Sequence, residues 1–326
     1  MDDRELLLRL GAGSVSGDVL ARHAGITRAA VWKRIQALRD AGVEIEARPG
    51  SGYVLARPLD LVDAAALRVA LPGEARQVLA ALEVAWSVDS TNSELLRRPP
   101  PATGTAVLLA ERQTAGRGRR GRAWTSPLGA QVCLSAGRSF GGGLVRLGGL
   151  SLVAGVAVAE ALRGLGLAQV GLKWPNDLVA GGRKLAGLLV EGGGEHAGPV
   201  HAVLGVGINV SLPASAGAAI DQPWTDLAGL YTEAGVDMPT RTAVAGAVLA
   251  ALLPALEAFD REGPAPFLAR YARLDALAGQ EVAVSTDGRE LARGRAIGLA
   301  PDGGLRVATG AGERTFHAGE VSVRRS

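Results

Sequence analysis

The chain has 326 residues, of which 48% are hydrophobic and 21% charged, and its formal net charge is +3. This length predicts two or three domains with packed cores, and so small a net charge does not by itself indicate a nucleic-acid-binding protein. The single cysteine, Cys133, excludes an internal disulfide and a cysteine-based zinc finger. The N-terminus is acidic and we find no apolar run long enough to cross a bilayer, so we expect a cytoplasmic protein without membrane contact.

Residues 1–62 are predicted to form a helix-turn-helix domain with a wing. Within Ser16–Gly42, one short helix ends near His23 and Gly25 permits a tight turn. Thr27 can then cap the next helix by accepting a hydrogen bond from an amide of its first turn. The order of helix, glycine turn and capped helix is typical of DNA-binding modules.

The second helix of this module has two different faces. Val31, Ile35 and Leu38 fall on one side, where they can pack against Val19 and Leu20. The opposite side is basic, and two alanines there let the backbone approach DNA. Its cations are Arg28, Lys33 and Arg39, and the predicted DNA contacts are Thr27, Arg28, Ala29, Ala30, Trp32 and Lys33.

A wing is predicted directly after this helix. Strands Val43–Ala47 and Tyr53–Ala56 flank the turn Pro49–Gly52. In such modules the helix enters the major groove and the wing touches phosphate, and a homodimer would match a two-fold operator. The alternative is a small helical bundle with a solvated basic face.

Residues 63–277 are predicted to form an α+β domain around a mixed sheet. Strand-like runs alternate with helices, and their hairpin connections favour this class over a doubly wound sheet. The strand-like runs are Ala106–Ala110, Val132–Ala136, Leu185–Val190 and Val203–Val210, and the long helices are Leu150–Leu165 and Thr240–Glu262.

Residues 278–326 are predicted to form a small β domain. From Gly279 to Val323 short β segments are separated by Asp-Gly and Gly-Gly turns. This pattern is typical of a small barrel.

The segment Glu111–Ser126 is rich in arginine and glycine. Three of its glycines satisfy the dinucleotide fingerprint, but the residues that follow, among them Trp124 and Pro127, oppose the helix that this fingerprint requires. A disordered nucleic-acid-binding segment is an alternative, which the two flanking apolar strands disfavour. Glycines let amides approach a ligand and guanidiniums pair with phosphate, so the segment predicts a loop that binds a phosphate-bearing ligand. Its arginines are Arg117, Arg119, Arg120 and Arg122.

Two later segments supply further candidate residues. In Lys173–Asp177, Asp177 can help bind Mg²⁺ or can cap a turn. Lys184 precedes an apolar run, which favours a position at the rim of a pocket. Gly205 and Gly207 weaken a strand that otherwise looks buried, and paired glycines of this kind usually mark close approach of backbone or ligand.

Five motifs occur in the order found in biotin–protein ligases, and together they resemble that family. They are Asp89–Asn92 (DSTN), Gln113–Trp124 (QTAGRGRRGRAW), Lys173–Asp177 (KWPND), Arg183–Gly187 (RKLAG) and Gly205–Asn209 (GVGIN). The N-terminal and C-terminal segments are similar to those of bifunctional ligases that also repress biotin synthesis. The resemblance implies a winged helix-turn-helix, a central domain like those of class II synthetases, and an SH3-like barrel.

The resemblance also implies an activity and a set of site residues. Biotin would be activated with ATP and Mg²⁺, without a prosthetic group, and transferred to a lysine of a biotin carboxyl carrier protein. Lys184, Arg119 and Arg117 would be catalytic. The implied biotin site comprises Ser90, Thr91, Asn92, Gln113, Arg117, Gly118, Arg119, Trp124, Lys184, Gly187, Gly205 and Gly207; the implied nucleotide site comprises Arg119, Arg122, Asn176, Asp177 and Asn209.

Two segments depart from the family pattern. Ser211–Ile220 is rich in small residues where related ligases have a loop over the adenine, and Trp224 is our candidate for that cover. Ser139–Gly143 is unusually rich in glycine, and loops of this kind influence dimerisation in the family. The rival functions are a lipoate–protein ligase or octanoyl transferase and a repressor that senses biotin without catalysis. Cys133 lies in an apolar strand and is expected in the core rather than as a transferase nucleophile.

Overall fold

The computed structural model describes residues 1–141, 143–194, 199–218, 220–286, 289–318 and 322–325. The Ser139–Gly143 and Ser211–Ile220 expectations fall partly outside these residues, at Gly142 and Ala219. The N-terminal elements are α1 (Asp3–Gly11), α2 (Gly17–Ala24), α3 (Arg28–Asp40), β1 (Ile45–Arg48) and β2 (Gly52–Leu55).

The N-terminal elements form the predicted winged helix-turn-helix. Gly25 ends α2 in the left-handed conformation, with φ of 65°, and the Thr27 hydroxyl accepts a hydrogen bond from the amide of Ala30 at 3.2 Å. The antiparallel strands β1 and β2 form the wing.

The two faces of α3 were predicted correctly, with two exceptions. Val31, Ile35 and Leu38 are buried together with Leu20. Val19 is 44% exposed, because adjacent helical residues point about 100° apart and Leu20 takes the inward position. Arg39 lies off the DNA-facing side, since its guanidinium donates to the carbonyl of Ile45 at 3.0 and 2.7 Å and ties α3 to the wing.

The central domain is built on a seven-stranded mixed sheet, as predicted. Its order is β3-β4-β5-β9-β8-β7-β6, in which β3 and β4 are parallel and the other neighbours antiparallel. The strands are β3 (Leu79–Val88), β4 (Thr105–Gln113), β5 (Gln131–Phe140), β6 (Val170–Lys173), β7 (Asp177–Ala180), β8 (Arg183–Gly194) and β9 (Val200–Asn209).

Helices cover this sheet. They are α4 (Ala64–Ala70), α5 (Gly73–Gln77), α6 (Thr91–Arg97), α7 (Leu150–Gly164), α8 (Ala214–Gly217), α9 (Leu227–Ala234), α10 (Arg241–Glu262) and α11 (Ala265–Leu274). Contrary to our expectation from the sequence, Leu147–Gly164 and Arg241–Glu262 are long and apolar enough to cross a membrane by length and composition. Both lie mostly inside the fold, where Val153 and Leu252 are fully buried, so the packed core accounts for their composition.

The C-terminal segment forms a five-stranded antiparallel sheet, in agreement with the series of short β segments predicted from the sequence. Its strands are β10 (Glu281–Thr286), β11 (Arg289–Leu299), β12 (Leu305–Thr309), β13 (Gly312–Phe316) and β14 (Ser322–Arg325), in the order β13-β12-β11-β10-β14.

The buried apolar residues form two large clusters. One contains the core of α1, α2, α3 and the wing, and Leu128 from the central domain joins it. The other contains the core of the central domain together with that of the C-terminal sheet, for example Val282 and Val307. The two ends of the chain are therefore attached to the central domain in different ways.

A buried ion pair fixes the segment that leads from the wing into the central domain. Arg241, at the start of α10, is 1% exposed and donates to Glu111 of β4 and to the carbonyl of Asp60, each at 2.6 Å. The other carboxylate oxygen of Glu111 accepts from the amide of Val62 at 2.7 Å. Both charges are compensated, which a buried pair requires.

Candidate active site

The arginine loop, Gly116–Trp124, connects β4 to β5 and folds as a short hairpin. The amide of Trp124 donates to Gly116 at 2.8 Å, and that of Gly118 donates to Arg122 at 2.7 Å. Gly116 is required by space, because a Cβ atom there would lie 2.5 Å from the Trp124 carbonyl oxygen. Arg120 at the tip has φ of 60°.

Two arginines of the loop reach across to other parts of the chain. Arg117 pairs with Glu191 of β8 at 3.0 Å. Arg119 donates to the Asn176 side chain at 3.1 Å and to the backbone carbonyl of Ala318 in the C-terminal domain. Burial lowers the pKa of Arg119 from its ordinary value, and the nearby Asp177 carboxylate opposes that shift. Arg119 is thus a partly desolvated cation at the meeting point of two domains.

Lys184 lies opposite this loop. Its Nζ is 2.7 Å from Oδ1 of Asp177, and both side chains are mostly buried. The ammonium also lies 5.6 Å from the centroid of the Trp124 ring. The backbone of Lys184 exchanges hydrogen bonds of 2.9 Å with Pro223 and Thr225, so the strand start is held from both sides.

Asp177 begins β7 and faces Lys184, so its role is not that of a turn cap. Among the described residues, no group of three or more His, Cys, Asp or Glu side chains could hold a metal ion.

A chain of polar side chains forms the floor. Gln113 Oε1 accepts from the amide of Thr91 at 2.8 Å and from its hydroxyl at 3.1 Å. Ser135 Oγ lies 2.7 Å from the Thr91 hydroxyl and 2.6 Å from Asn92 Oδ1. Ser90 caps α6, so the helix begins at Thr91 and holds that residue in place. The floor offers hydroxyl and amide groups and is suited to a polar ring.

The glycines of β8 and β9 make room for protein side chains. A Cβ atom on Gly205 would lie 2.5 Å from Asn92 Oδ1, and one on Gly207 would lie 2.6 Å from the Trp124 ring. Gly187 meets the same ring at 3.2 Å. The sequence indicated close approach of backbone or ligand. The structure shows that Asn92 and Trp124 fill this space, and that the glycines let the Trp124 ring lie close to β8 and β9.

These elements enclose one cavity of about 170 Å³. Arg120 of the arginine loop does not line it, whereas the residues of the biotin and nucleotide sites that the resemblance implies all do: Ser90, Thr91, Asn92, Gln113, Arg117, Gly118, Arg119, Arg122, Trp124, Asn176, Asp177, Lys184, Gly187, Gly205, Gly207 and Asn209. Trp224 also lines it, and its ring NH donates to Gly217 of α8 at 3.0 Å.

Sequence reasoning missed several lining residues, of which Gln131 is the most informative. It accepts from the Trp124 ring NH at 3.1 Å and donates to Asn209 at 2.8 Å, and Asn209 in turn donates to Thr225 at 3.0 Å. The signal available in the sequence was a polar residue at the start of an apolar strand. Gln131 and Asn209 position the Trp124 ring from beneath.

Cys133 is buried, as expected, and desolvation raises the pKa of its thiol. Its sulfur lies 3.3 Å from Ser126 Oγ, and Cys133 pairs with Gly207 on the face of the sheet that carries Trp124. A buried thiol with a raised pKa is a poor nucleophile, which disfavours a cysteine-dependent transferase.

The predicted DNA contacts gather on one side of α3. Thr27, Arg28, Ala29, Trp32 and Lys33 are exposed and Ala30 is half-buried; Trp32 has 53% of its surface exposed. Arg28 makes only a loose pair with Asp18, at 3.7 Å, and both side chains are exposed. This face is therefore free to meet a large partner.

Residues 84–209 match the biotin/lipoate A/B protein ligase family, residues 4–54 an HTH domain, and residues 278–324 the biotin protein ligase C-terminal domain. The bifunctional ligase/repressor BirA of Escherichia coli is 38% identical over 309 residues, which cover 95% of this chain and 92% of BirA. The chain belongs to the biotin protein ligase family.

Other members of the family are similar over the catalytic part. The biotin–[acetyl-CoA-carboxylase] ligase of Mycobacterium tuberculosis is 35% identical over 74% of this chain and 88% of its own length. The structure of the Aquifex aeolicus biotin protein ligase in complex with biotin and ATP superposes with a TM-score of 0.62 at 29% identity, covering 76% of this chain and all of that one. The fold expected from the resemblance is confirmed.

Proposed function

We propose that the chain is an ATP-dependent biotin–protein ligase, which forms biotinyl-5′-AMP and transfers biotin to a lysine of a biotin carboxyl carrier protein. The observation that carries this proposal is that Lys184, the arginine loop and the polar floor line the same cavity. The family relationship supports the same reaction.

The first step is adenylation. A carboxylate oxygen of biotin attacks the α-phosphorus of ATP, the bond to the β-phosphate oxygen breaks, and pyrophosphate leaves. Negative charge accumulates on the α-phosphate during this step, so fixed cations beside it are the expected catalytic device. Lys184 and Arg119 would supply them, with Arg117 at the edge of the loop. Asn176 and Asn209 would contact the nucleotide, and Arg122 its phosphates.

The second step is aminolysis. The amine of the acceptor lysine attacks the carbonyl carbon of the anhydride, loses a proton, and AMP leaves. Lys184 would again stabilise the phosphate oxygens. The arginine loop and the Trp124 ring would shield the anhydride from water until the acceptor arrives.

Mg²⁺ fits this site as a companion of ATP. It commonly keeps several waters and binds one or two carboxylates plus substrate phosphates. Asp177 would be its protein ligand, after its pair with Lys184 loosens. The ion would neutralise phosphate charge.

We further propose that the chain is a biotin-responsive repressor that works as a homodimer in the cytoplasm. The exposed face of α3 would enter the major groove of a two-fold operator near biotin genes, and the wing would contact phosphate. The relationship to the BirA repressor and the HTH match support this second activity.

The rival ligase substrate is lipoate. The biotin ureido ring has two N–H donors and a carbonyl, which can satisfy the hydroxyl and amide groups of the floor around Thr91 and Gln113. A dithiolane ring has no N–H or carbonyl group with which to hydrogen-bond to this floor, so it would gain no such contacts in exchange for the water that it displaces. The polar floor therefore favours biotin.

The test is ATP–pyrophosphate exchange by the full chain with Mg²⁺, with biotin and lipoate in parallel. We expect biotin-dependent exchange only, and loss of at least about a hundredfold for Lys184→Ala, because one fixed charge at a developing anion is worth that much. Lipoate-dependent exchange would move the chain to the sister activity. Binding of biotin without exchange would instead indicate a repressor that senses biotin without catalysis.

A further inference from the structure

Glu191 of β8 touches both the lid and the floor of the site. Its carboxylate accepts from Arg117 of the arginine loop at 3.0 Å and from Asn92 Nδ2 at 2.8 Å. The Glu191 side chain is about three-quarters buried, whereas that of Arg117 is nearly half exposed. Glu191 is therefore the more buried partner of the ion pair, and β8 fixes its position.

Both amide hydrogens of Asn92 are used in hydrogen bonds within the protein. Its two Nδ2 hydrogens are directed to Glu191 and to the carbonyl of Leu189, which lies 3.2 Å away. Its Oδ1 is 2.6 Å from the Ser135 hydroxyl. Asn92 lines the cavity, but it has no amide hydrogen left for a substrate, so its contribution is to support Thr91 in the floor through the buried Ser135.

The charge of Glu191 also matters to the loop. Four arginines lie within six residues, Arg117 to Arg122, and like charges on so short a segment repel one another. Glu191 compensates the first of them where the hairpin leaves β4. Without that carboxylate, the closed arrangement of the loop loses an attraction while its internal repulsion stays.

We propose that Glu191 is a positioning residue that latches the arginine loop over the adenylate through Arg117 and fixes Asn92 in the floor. This inference rests on the proposed ligase function. An ion pair on an ordinary surface changes little; this one lies between two parts of a site, so a modest change in loop closure becomes a change in how long the reactive intermediate is retained.

The test uses the full-length wild type, Glu191→Gln, Arg117→Leu and the double variant. Each protein is incubated with biotin, ATP, Mg²⁺ and pyrophosphatase and passed rapidly over a desalting column. The biotinyl-adenylate that stays bound is then measured over time. We expect Glu191→Gln and Arg117→Leu each to lose the intermediate about three to ten times faster, and the double variant no faster than the worse single one.

A second readout separates the floor from the lid. Because Glu191 also orients Asn92, the double variant should have a KM for biotin in pyrophosphate exchange a few fold above that of Arg117→Leu, since the contact of Glu191 with the floor does not depend on Arg117. Glu313→Gln is the matched control: it removes a carboxylate from an exposed arginine pair in the C-terminal domain, Arg306–Glu313, at 2.6 Å, and should keep wild-type retention.

The outcomes distinguish failure of the latch from failure of the proposed ligase function. Wild-type retention in Glu191→Gln, or additive losses in the double variant, would overturn the latch. Should Glu191→Gln fail to fold, wild-type retention by Arg117→Leu would overturn it equally. Absence of biotin-dependent exchange in the wild type would instead refute the proposed function.

Discussion

The two ends of the chain are both attached to the central domain, but through different kinds of contact. The N-terminal module keeps its own apolar cluster, which Leu128 joins from outside. The C-terminal sheet shares one continuous core with the central domain. It also reaches the site, since Gly303 accepts from the Trp174 ring at 3.0 Å and Ala318 accepts from Arg119.

This difference distinguishes a domain that can move relative to the central domain from one that is part of its core. A module with its own core can change position while both parts stay folded, because few buried contacts cross the boundary. A sheet that completes a shared core cannot leave without exposing apolar surface. The contacts therefore suit the N-terminal module to respond to the site and the C-terminal sheet to form part of it.

Truncation gives the largest expected contrast. Removing residues 278–326 should lower biotin-dependent exchange by more than about tenfold and broaden thermal unfolding, because the shared core loses one wall. Removing residues 1–58 should keep exchange within about threefold, since the catalytic cavity and the buried hydrogen bonds of Asp60 and Val62 are left intact. Equal losses in the two truncations would contradict the comparison.

Arg241 tests the buried attachment of the N-terminal segment. Arg241→Met should lower the free energy of unfolding by about 3–5 kcal/mol, because Glu111 would be left as an uncompensated buried charge. Urea denaturation measures this. Arg183→Met, which breaks an exposed pair with Glu233, should cost less than about 1 kcal/mol.

Leu128 tests the contact between the N-terminal module and the segment that leads from the arginine loop into β5. Its amide donates to Ala41 at the end of α3, at 2.9 Å, and its side chain is buried in the N-terminal cluster. Leu128→Ala should cost about 2–3 kcal/mol. We expect gel-shift affinity for operator DNA to fall more than exchange activity does; the reverse order would show that Leu128 serves the catalytic side.

Asp275 gives the smallest effect, at the junction with the C-terminal sheet. Burial raises the pKa of its carboxyl, and the amide of Leu277 donates to it at 2.8 Å. A raised folded-state pKa means that protonation favours the folded chain, so the carboxylate weakens stability as the pH rises through the folded-state value. Asp275→Asn should therefore raise the unfolding temperature slightly at pH 7, and the advantage should vanish as the pH falls towards 4.

The elements that depend on local pattern could be predicted from the sequence. The cap at Thr27, the turn at Gly25 and the apolar face of α3 are set by neighbours within one or two helical turns. The motifs of the site were also recognisable, and the structure brings their residues to one cavity.

Contacts between distant parts of the chain could not be predicted. Glu191 meets Arg117 from 74 positions away, and Arg241 meets Glu111 from 130. Such partners become neighbours only through the strand order β4-β5-β9-β8 and the packing of α10, which no local pattern specifies. The same holds for Gly205 and Gly207, whose neighbours Asn92 and Trp124 come from elsewhere in the chain.

The divided core has a consequence for synthesis on the ribosome. The N-terminal cluster draws almost all its members from residues 1–55, so it can pack while the sheet is still being translated. The core of the central domain also needs Val323 of β14, which is translated much later. Each nascent chain should therefore carry a folded DNA-reading module well before it has a finished active site, and a stalled ribosome would display one without the other.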